Sequence, residues 1–308
     1  MSLNPRPRPD IPHEGGFVEI ADRVWVARYE FLDVNVGLVA GERGLLVVDT
    51  QTSEAAARRT VEQVRRLGVG EVVATVNTHE HFDHAFGNVV FAEEYDGPEM
   101  FIHETAAANL PVSGPRLQEQ AVHGAEDPSE SEADRRAHRE IAESRILVPE
   151  LTFSSARVVD LGDRHVELVH PGRGHTAGDA VIRVPDADVL FAGDLVEESA
   201  ARNGVPGMGD DSFVLEWPAT LDLVIEMLGD GSVVVPGHGM PVDKEFVLEQ
   251  RGNIGVVAET IRDLAGRGVP VDEALASGEW PYPAEELARA VRRGYEQLPR
   301  SARSLPLL

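Results

Sequence analysis

Cysteine is absent from all 308 residues, and that single lack excludes disulfides, cysteine nucleophiles and thiolate metal sites together. A metal, if the chain holds one, must sit on nitrogen and oxygen donors. Lysine is nearly absent as well: Lys244 is the sole example, so a Schiff-base mechanism has one candidate only. Positive charge is scarce overall, with 28 basic against 53 acidic residues and a formal net charge of −25. A nucleic-acid groove needs a basic footprint, so no nucleic-acid partner is expected. Long apolar runs are missing too. No segment reaches the roughly eighteen uninterrupted apolar residues of a membrane span, and the opening "MSLNPRPRPDIPHEGGF" lacks the apolar core of a signal peptide. The expectation is a soluble, cytoplasmic protein with a small-molecule substrate and no membrane partner.

What is present reads as one large layered domain with appendages, which a chain of this length accommodates. Residues 1–15, rich in proline, read as a loose arm, residues 16–242 as the main domain and residues 243–308 as a helical extension. Strand patterns occupy "FVEIADRVWVAR" (17–28), "VNVGLVAG" (34–41), "GLLVVDT" (44–50) and "VVATVNT" (72–78). Between the last two, Ala56, Val61, Val64 and Leu67 recur at helical spacing before Gly68. Residues 115–145 are polar and densely charged, with a break at "EDPSES", and read as a surface helical excursion or lid. Strand patterns resume with "LTFSSARVVDLG", "HVELVHPG", "DAVIRVP" and "DVLFAGD". A helix follows around 213–228, then the strand "SVVVPG" (232–237), and the remainder is mostly helical. Strands mixed with flanking helices predict a layered α/β fold.

The chemistry concentrates in "NTHEHFDHAFGN" (77–88), which packs His79, His81, Asp83 and His84 into six positions. In extended chain alternate side chains point the same way, so His79, His81 and Asp83 share a side while Glu80 and Phe82 point away. A helix starting at His84 would swing that ring onto the same pocket from another angle. Asp83 also fits an ordinary helix N-cap. His175 in "PGRGHTAGD" and His238 in "VVPGHGMP" sit in glycine-rich turns after strands, where the backbone can approach closely, and Asp194 ends the apolar strand "VLFAGD". Together these make seven nitrogen or oxygen donors at strand ends, enough for two metal ions with open positions for water and substrate.

In this combination and order the motifs resemble those of the metallo-β-lactamase-fold hydrolases. "THEHFDH" matches the family's His-x-His-x-Asp-His motif, "GHTAGD" its second histidine motif, "FAGD" its aspartate motif and "PGHG" its last histidine, while "LLVVDT" is similar to its early aspartate motif. The resemblance spans residues 45–240, about two thirds of the chain. It implies a four-layer αββα sandwich over residues 16–242 with a C-terminal helical extension, and a site in a cleft at one edge of the two sheets. It further implies that His79, His81 and His175 hold one metal, that Asp83, His84 and His238 hold a second, that Asp194 bridges them and that Asp49 supports the ligands from behind. Zinc is the expected metal, with iron or manganese as alternatives.

Two divalent ions ~3.5–4 Å apart lower the pKa of a shared water toward ~7 and supply hydroxide as nucleophile. The resemblance makes Asp83 the candidate to manage the proton as the leaving group departs. The implied activity is hydrolysis of a small-molecule ester, thioester, lactone or lactam-type bond. An aspartate at the position of Asp194 resembles the thioesterases, lactonases and general hydrolases of the family more than its dedicated β-lactamases. "HAFGN" departs from the "GGN" ending common in glyoxalase II, with Phe86 in place of a glycine. A mononuclear iron enzyme similar to the persulfide dioxygenases is the first alternative, because iron accepts these donors, and a non-catalytic metal-binding module is the second. His103 reads as a cap or surface residue, His170 as support near His175, and His13, His123, His138 and His165 as surface residues. Trp280 and Tyr282 read as an aromatic turn that closes over the cleft, packs the extension or joins a homodimer, and residues 196–213 as a flap or surface loop.

Overall fold

Strand alternation decides the architecture of the computed structural model, which describes residues 10–199 and 204–299. The first sheet runs, in spatial order, β1 (Val18–Ala21), β2 (Val24–Arg28), β3 (Asn35–Gly41), β4 (Gly44–Val48), β5 (Val72–Val76), β6 (Glu99–His103) and β7 (Leu151–Phe153). Strands β1 to β4 pair antiparallel and β4 to β7 parallel. Parallel neighbours need crossovers. These are α1 (Glu54–Leu67) between β4 and β5, the short α2 (Phe82–Ala85) and α3 (Asn88–Glu94) between β5 and β6, and the pair α4 (Glu104–Glu126) and α5 (Glu132–Glu143) before β7. The second sheet contains β8 (Ala156–Asp160), β9 (His165–Val169), β10 (Val181–Val184), β11 (Val189–Glu197) and β12 (Val233–His238), with α6 (Trp217–Glu226) crossing between the parallel β11 and β12. Helices α7 (Lys244–Gly266), α8 (Val271–Ser277) and α9 (Ala288–Gln297) complete the chain order.

Val24, Val26, Leu46, Val48, Ala74 and Val76 point from the first sheet into a core shared with Val166, Leu168, Ile182, Val189 and Phe191 of the second. Their neighbours Trp25, Ala27, Leu45 and Val47 face the other way, onto Val61 and Val64 of α1 and Phe91 of α3. On the far side, Leu190 turns onto Leu221 of α6, Ile254 and Ile261 of α7 and Val291 of α9. The layers are therefore helix, sheet, sheet, helix, which is the expected αββα sandwich, and α7 and α9 of the expected C-terminal extension contribute to its last layer. Gly68 closes α1 at φ 70°, where the periodicity predicts its end, and Ser53 caps its start, its Oγ accepting from Ala56 N.

Two predicted strands divide. The run 17–28 is a hairpin, turned at Arg23 with φ 53°. "LTFSSARVVDLG" places β7 in the first sheet and β8 in the second, so the chain changes layer inside one apolar pattern. Residues 1–9 of the expected arm lie outside the described residues, whereas Ile11 is fully buried and His13 Nε2 lies 2.8 Å from Asp33 Oδ1. The charged excursion is the α4–α5 pair, seated on the domain through Phe86, Leu110, Ala121 and Ile141. Phe86 thus packs a helix interface. Trp280 and Tyr282 pack against the core of the C-terminal helices, and Trp280 Nε1 donates to Leu275 O at 2.9 Å. Among the described residues no helix is long and apolar enough to cross a membrane.

Candidate metal centre

The corner at 77–88 is a strand end followed by a helical turn. β5 stops at Val76, His81 is the N-cap of α2, and the first turn of that helix carries Asp83 and His84. Asp83 is therefore not the N-cap its position suggests, and its carboxylate faces inward, with Oδ2 3.3 Å from His238 Nε2. His175 arrives on the loop between β9 and β10, Asp194 from within β11, and His238 as the last residue of β12. The seven expected donors converge in two groups: His79, His81, His175 and Asp194, then Asp83, His84 and His238, with the donor atoms of each group within 4.8 Å of one another. Asp194 stands between the groups. Its Oδ2 is 3.4 Å from His175 Nε2 and 3.2 Å from His238 Nε2, and its Oδ1 is 3.2 Å from His84 Nε2. Only glycine fits beside it at position 237, where a Cβ would stand 1.8 Å from Asp194 Oδ1.

Each histidine of the cluster has its other ring nitrogen on an oxygen. His84 Nδ1 donates to Asp49 Oδ2 at 2.8 Å. Asp49 also accepts from Thr78 N at 2.7 Å and from the Thr78 hydroxyl at 2.9 Å, and that hydroxyl lies 3.0 Å from His79 Nδ1. Asp49 thus reaches two histidines, one directly and one through Thr78, from a left-handed backbone conformation with φ 62°. His175 Nδ1 donates to Gly207 O at 2.8 Å, His238 Nδ1 to Leu32 O at 2.7 Å and His81 Nε2 to Asp211 Oδ2 at 2.7 Å. A donated outer proton fixes each tautomer and leaves the inward nitrogen as a lone pair.

Of these outer partners only Asp49 was singled out in the sequence. Asp211 and Gly207 lie in the stretch read as a flap or surface loop. Residues 200–203 of that stretch lie outside the described residues, but Val205, Met208 and Val214 are buried and Gly207 N donates to Glu197 Oε1 at 2.6 Å. Leu32 offers its carbonyl because Leu32 and Asp33 are both left-handed, at φ 60° and 59°. His103 caps α4, accepting from Thr105 N at 3.2 Å. His170 holds the His175 loop by donating from Nδ1 to Asp179 O at 2.6 Å.

The inward side is suited to cations. His79 Nε2 and Asp194 Oδ1 are buried with no hydrogen-bond partner, and His81 Nδ1 faces His175 Nε2 at 2.9 Å. Burial opposes charge on His84 and His238, yet Asp194 and its neighbouring carboxylates outweigh it and raise both well above the usual imidazole value. Burial likewise opposes ionisation of Asp194, and His238, His84 and His175 nevertheless hold it well below the carboxylate range. His79, buried and beside His84, is pushed well below the usual imidazole value. Two groups of nitrogen and oxygen donors, with His79 Nε2 and Asp194 Oδ1 buried and unpartnered, fit divalent ions of the zinc, iron or manganese kind. His81 is 26% exposed, whereas the other donor side chains are at most 6% exposed. His81 therefore marks the mouth.

A family model described as the metallo-beta-lactamase superfamily matches residues 29–238, a span that takes in all of these donors. The metallo-beta-lactamase type 2 of Bacillus cereus is 25% identical over 214 residues, covering 69% of this chain and 70% of that protein. The human acyl-coenzyme A thioesterase MBLAC2 is 25% identical over 234 residues, covering 72% of this chain and 75% of that protein. Among solved structures, the stereoselective inverting sec-alkylsulfatase Pisa1 from Pseudomonas sp. matches with a TM-score of 0.72 over 92% of this chain at 17% identity, and this chain spans 50% of its length. At that identity the likeness is one of fold.

Proposed function

The chain belongs to the metallo-beta-lactamase superfamily, and from that premise we propose that it is a metal-dependent hydrolase working with two divalent ions, zinc first, on a small-molecule ester, thioester, lactone or lactam-type bond. The observation that carries this reading is the completeness of the donor set: two groups meeting at Asp194, with the outer nitrogen of every histidine held by an oxygen. Divalent ions held there supply Lewis acidity, which lowers the pKa of a water toward ~7 and polarises the oxygen of the scissile bond. The protein's own part is orientation and proton handling. Asp49, Gly207 O, Leu32 O and Asp211 fix the rings, so that no reorganisation is needed when charge develops. Asp83, inward-facing and 6% exposed, is positioned to carry a proton toward the leaving group. The relatives at 25% identity are a lactamase and a thioesterase, which supports a broad class of carbonyl bonds rather than one substrate.

Elemental analysis of the purified protein by plasma mass spectrometry tests the reading first. About two ions per chain, zinc above all, and turnover on thioesters, lactones or β-lactams that is lost on chelation and regained on reloading, are the expected results. About one iron per chain with oxygen uptake on a glutathione persulfide would replace hydrolysis by dioxygenation. No metal, and none taken up on reconstitution, would remove both readings.

A further inference from the structure

The polar contact at the mouth of the centre belongs to no motif. Asp211 Oδ2 accepts from His81 Nε2 at 2.7 Å, on the edge of the ring opposite Nδ1, which faces His175. An exposed His–Asp pair is by itself a weak surface contact, and the Asp211 side chain is 48% exposed. What makes this one fixed is the backbone that follows it. Ser212 O accepts from Arg293 Nε at 3.1 Å and from Gln297 Nε2 at 2.6 Å, both on α9. Phe213 N donates to Gly174 O at 2.7 Å, beside His175, and the Phe213 ring meets the guanidiniums of Arg173 and Arg293 at 4.4 and 5.3 Å from its centroid. Val214 is fully buried in the core that also holds Val291 of α9. Three consecutive residues after Asp211 are thus anchored, two of them directly to the last helix.

We propose that Asp211 is a positioning residue for the metal group of His79, His81 and His175, and that α9 keeps it in place by clamping the carbonyl of Ser212. The inference rests on the reading of His81 as a metal ligand. A carboxylate on the outer nitrogen of a ligating imidazole fixes its tautomer and strengthens it as a donor. The group of Asp83, His84 and His238 is held by Asp49 and Leu32; Asp49 also reaches His79 through Thr78, whereas Asp211 contacts a histidine of the first group alone. The C-terminal helices then do more than cover the second sheet: through one carbonyl they set the ring of the most exposed donor.

Competition against a chromophoric chelator, on the full chain, gives a dissociation constant for each zinc ion. Asp211→Ala is expected to raise one of them by about 10–100-fold and leave the other unchanged. Asp211→Asn, which keeps an acceptor at His81 Nε2, recovers part of that loss. The double variant Arg293→Ala with Gln297→Ala touches neither Asp211 nor any donor, and it raises the same constant by a smaller factor. Cobalt in place of zinc shows an altered visible absorption in all three. Unchanged constants in Asp211→Ala, or a parallel rise of both, would overturn the positioning role, and a double variant identical to wild type would overturn the clamp. A wild-type chain that binds no zinc would instead overturn the metal-centre reading itself, so the two failures are distinguishable.

Discussion

At His84 three carboxylates meet one imidazole. Asp49 Oδ2 is 2.8 Å from Nδ1, while Asp194 Oδ1 and Asp83 Oδ2 are 3.2 and 3.8 Å from Nε2. Only Asp49 sits on the outer edge, so it alone continues to orient the ring once a cation occupies the inner one. Asp49→Ala is expected to weaken metal binding by about 10–100-fold, read by chelator competition. It also leaves the buried Thr78 N without an acceptor, at a cost of about 1–3 kcal/mol in urea unfolding. His84→Ala and Asp83→Ala remove donors outright, and each is expected to reduce the ion count from about two to about one per chain and abolish most turnover. Full turnover on the remaining ion would count against a binuclear mechanism. The convergence of the donors was legible in the sequence because, in a chain without cysteine, four short histidine and aspartate motifs at strand ends stand out. Asp211 was not legible, since its contact with His81 joins residues 130 positions apart across a loop of ordinary composition. Gly207 and Leu32 act through backbone carbonyls, which leave no residue-type signal at all.

Among the elements, the α2–α3 corner is pressed directly against the turn that carries Asp49. Thr50 N donates to His84 O at 2.8 Å, and a Cβ at Gly87 would stand 1.8 Å from Thr50 O. Gly87→Ala must therefore separate the corner from that turn. The expected cost is at or above the roughly 1–3 kcal/mol of ordinary overpacking, together with weaker metal binding. A variant as stable as wild type would show that the corner yields without loss. Helix α1 is tied at its first residue to the exit of α5, where Glu54 Oε1 accepts from Arg145 N and Nε at 2.9 and 2.8 Å. Hydrogen bonds from Arg145 outweigh burial and bring the Glu54 carboxyl from 4.5 down to about 2. Because the folded value is depressed, the stabilisation is present above pH 4.5 and is lost as pH falls toward 2. Denaturant midpoints across that window should fall less steeply in Glu54→Gln than in wild type, and identical slopes would show that the pair contributes nothing. The helical spacing of Ala56, Val61, Val64 and Leu67 before Gly68 made α1 plain, yet nothing in "LTFSSARVVDLG" marks where β7 leaves one sheet and β8 joins the other. Both halves alternate alike, and only tertiary packing separates them.

For the molecule as a whole, ions that bind the folded chain and not the unfolded one stabilise it by mass action, by about 2.7 kcal/mol at a hundredfold excess over the dissociation constant. For a domain of this size chelation should therefore lower Tm by roughly 5–10 °C, with recovery on adding zinc back. An unchanged Tm would mean that the sandwich does not depend on the centre. The layered plan was legible because most strands are short apolar runs bounded by turns, many of them buried along nearly their whole length, while the partnering of strands depends on chain reversals such as the one at Arg23, whose positive φ no residue type in the run announces. His238 donates to the carbonyl of Leu32, 206 positions earlier, so the centre is sealed by residues far apart in sequence. In the order of synthesis, every donor but one has already been made when β12 is still to come. Completion of the second group, Asp83, His84 and His238, thus waits for β12 to be made and to join its sheet, and a copy stalled or cut short of residue 238 keeps the first group of donors only.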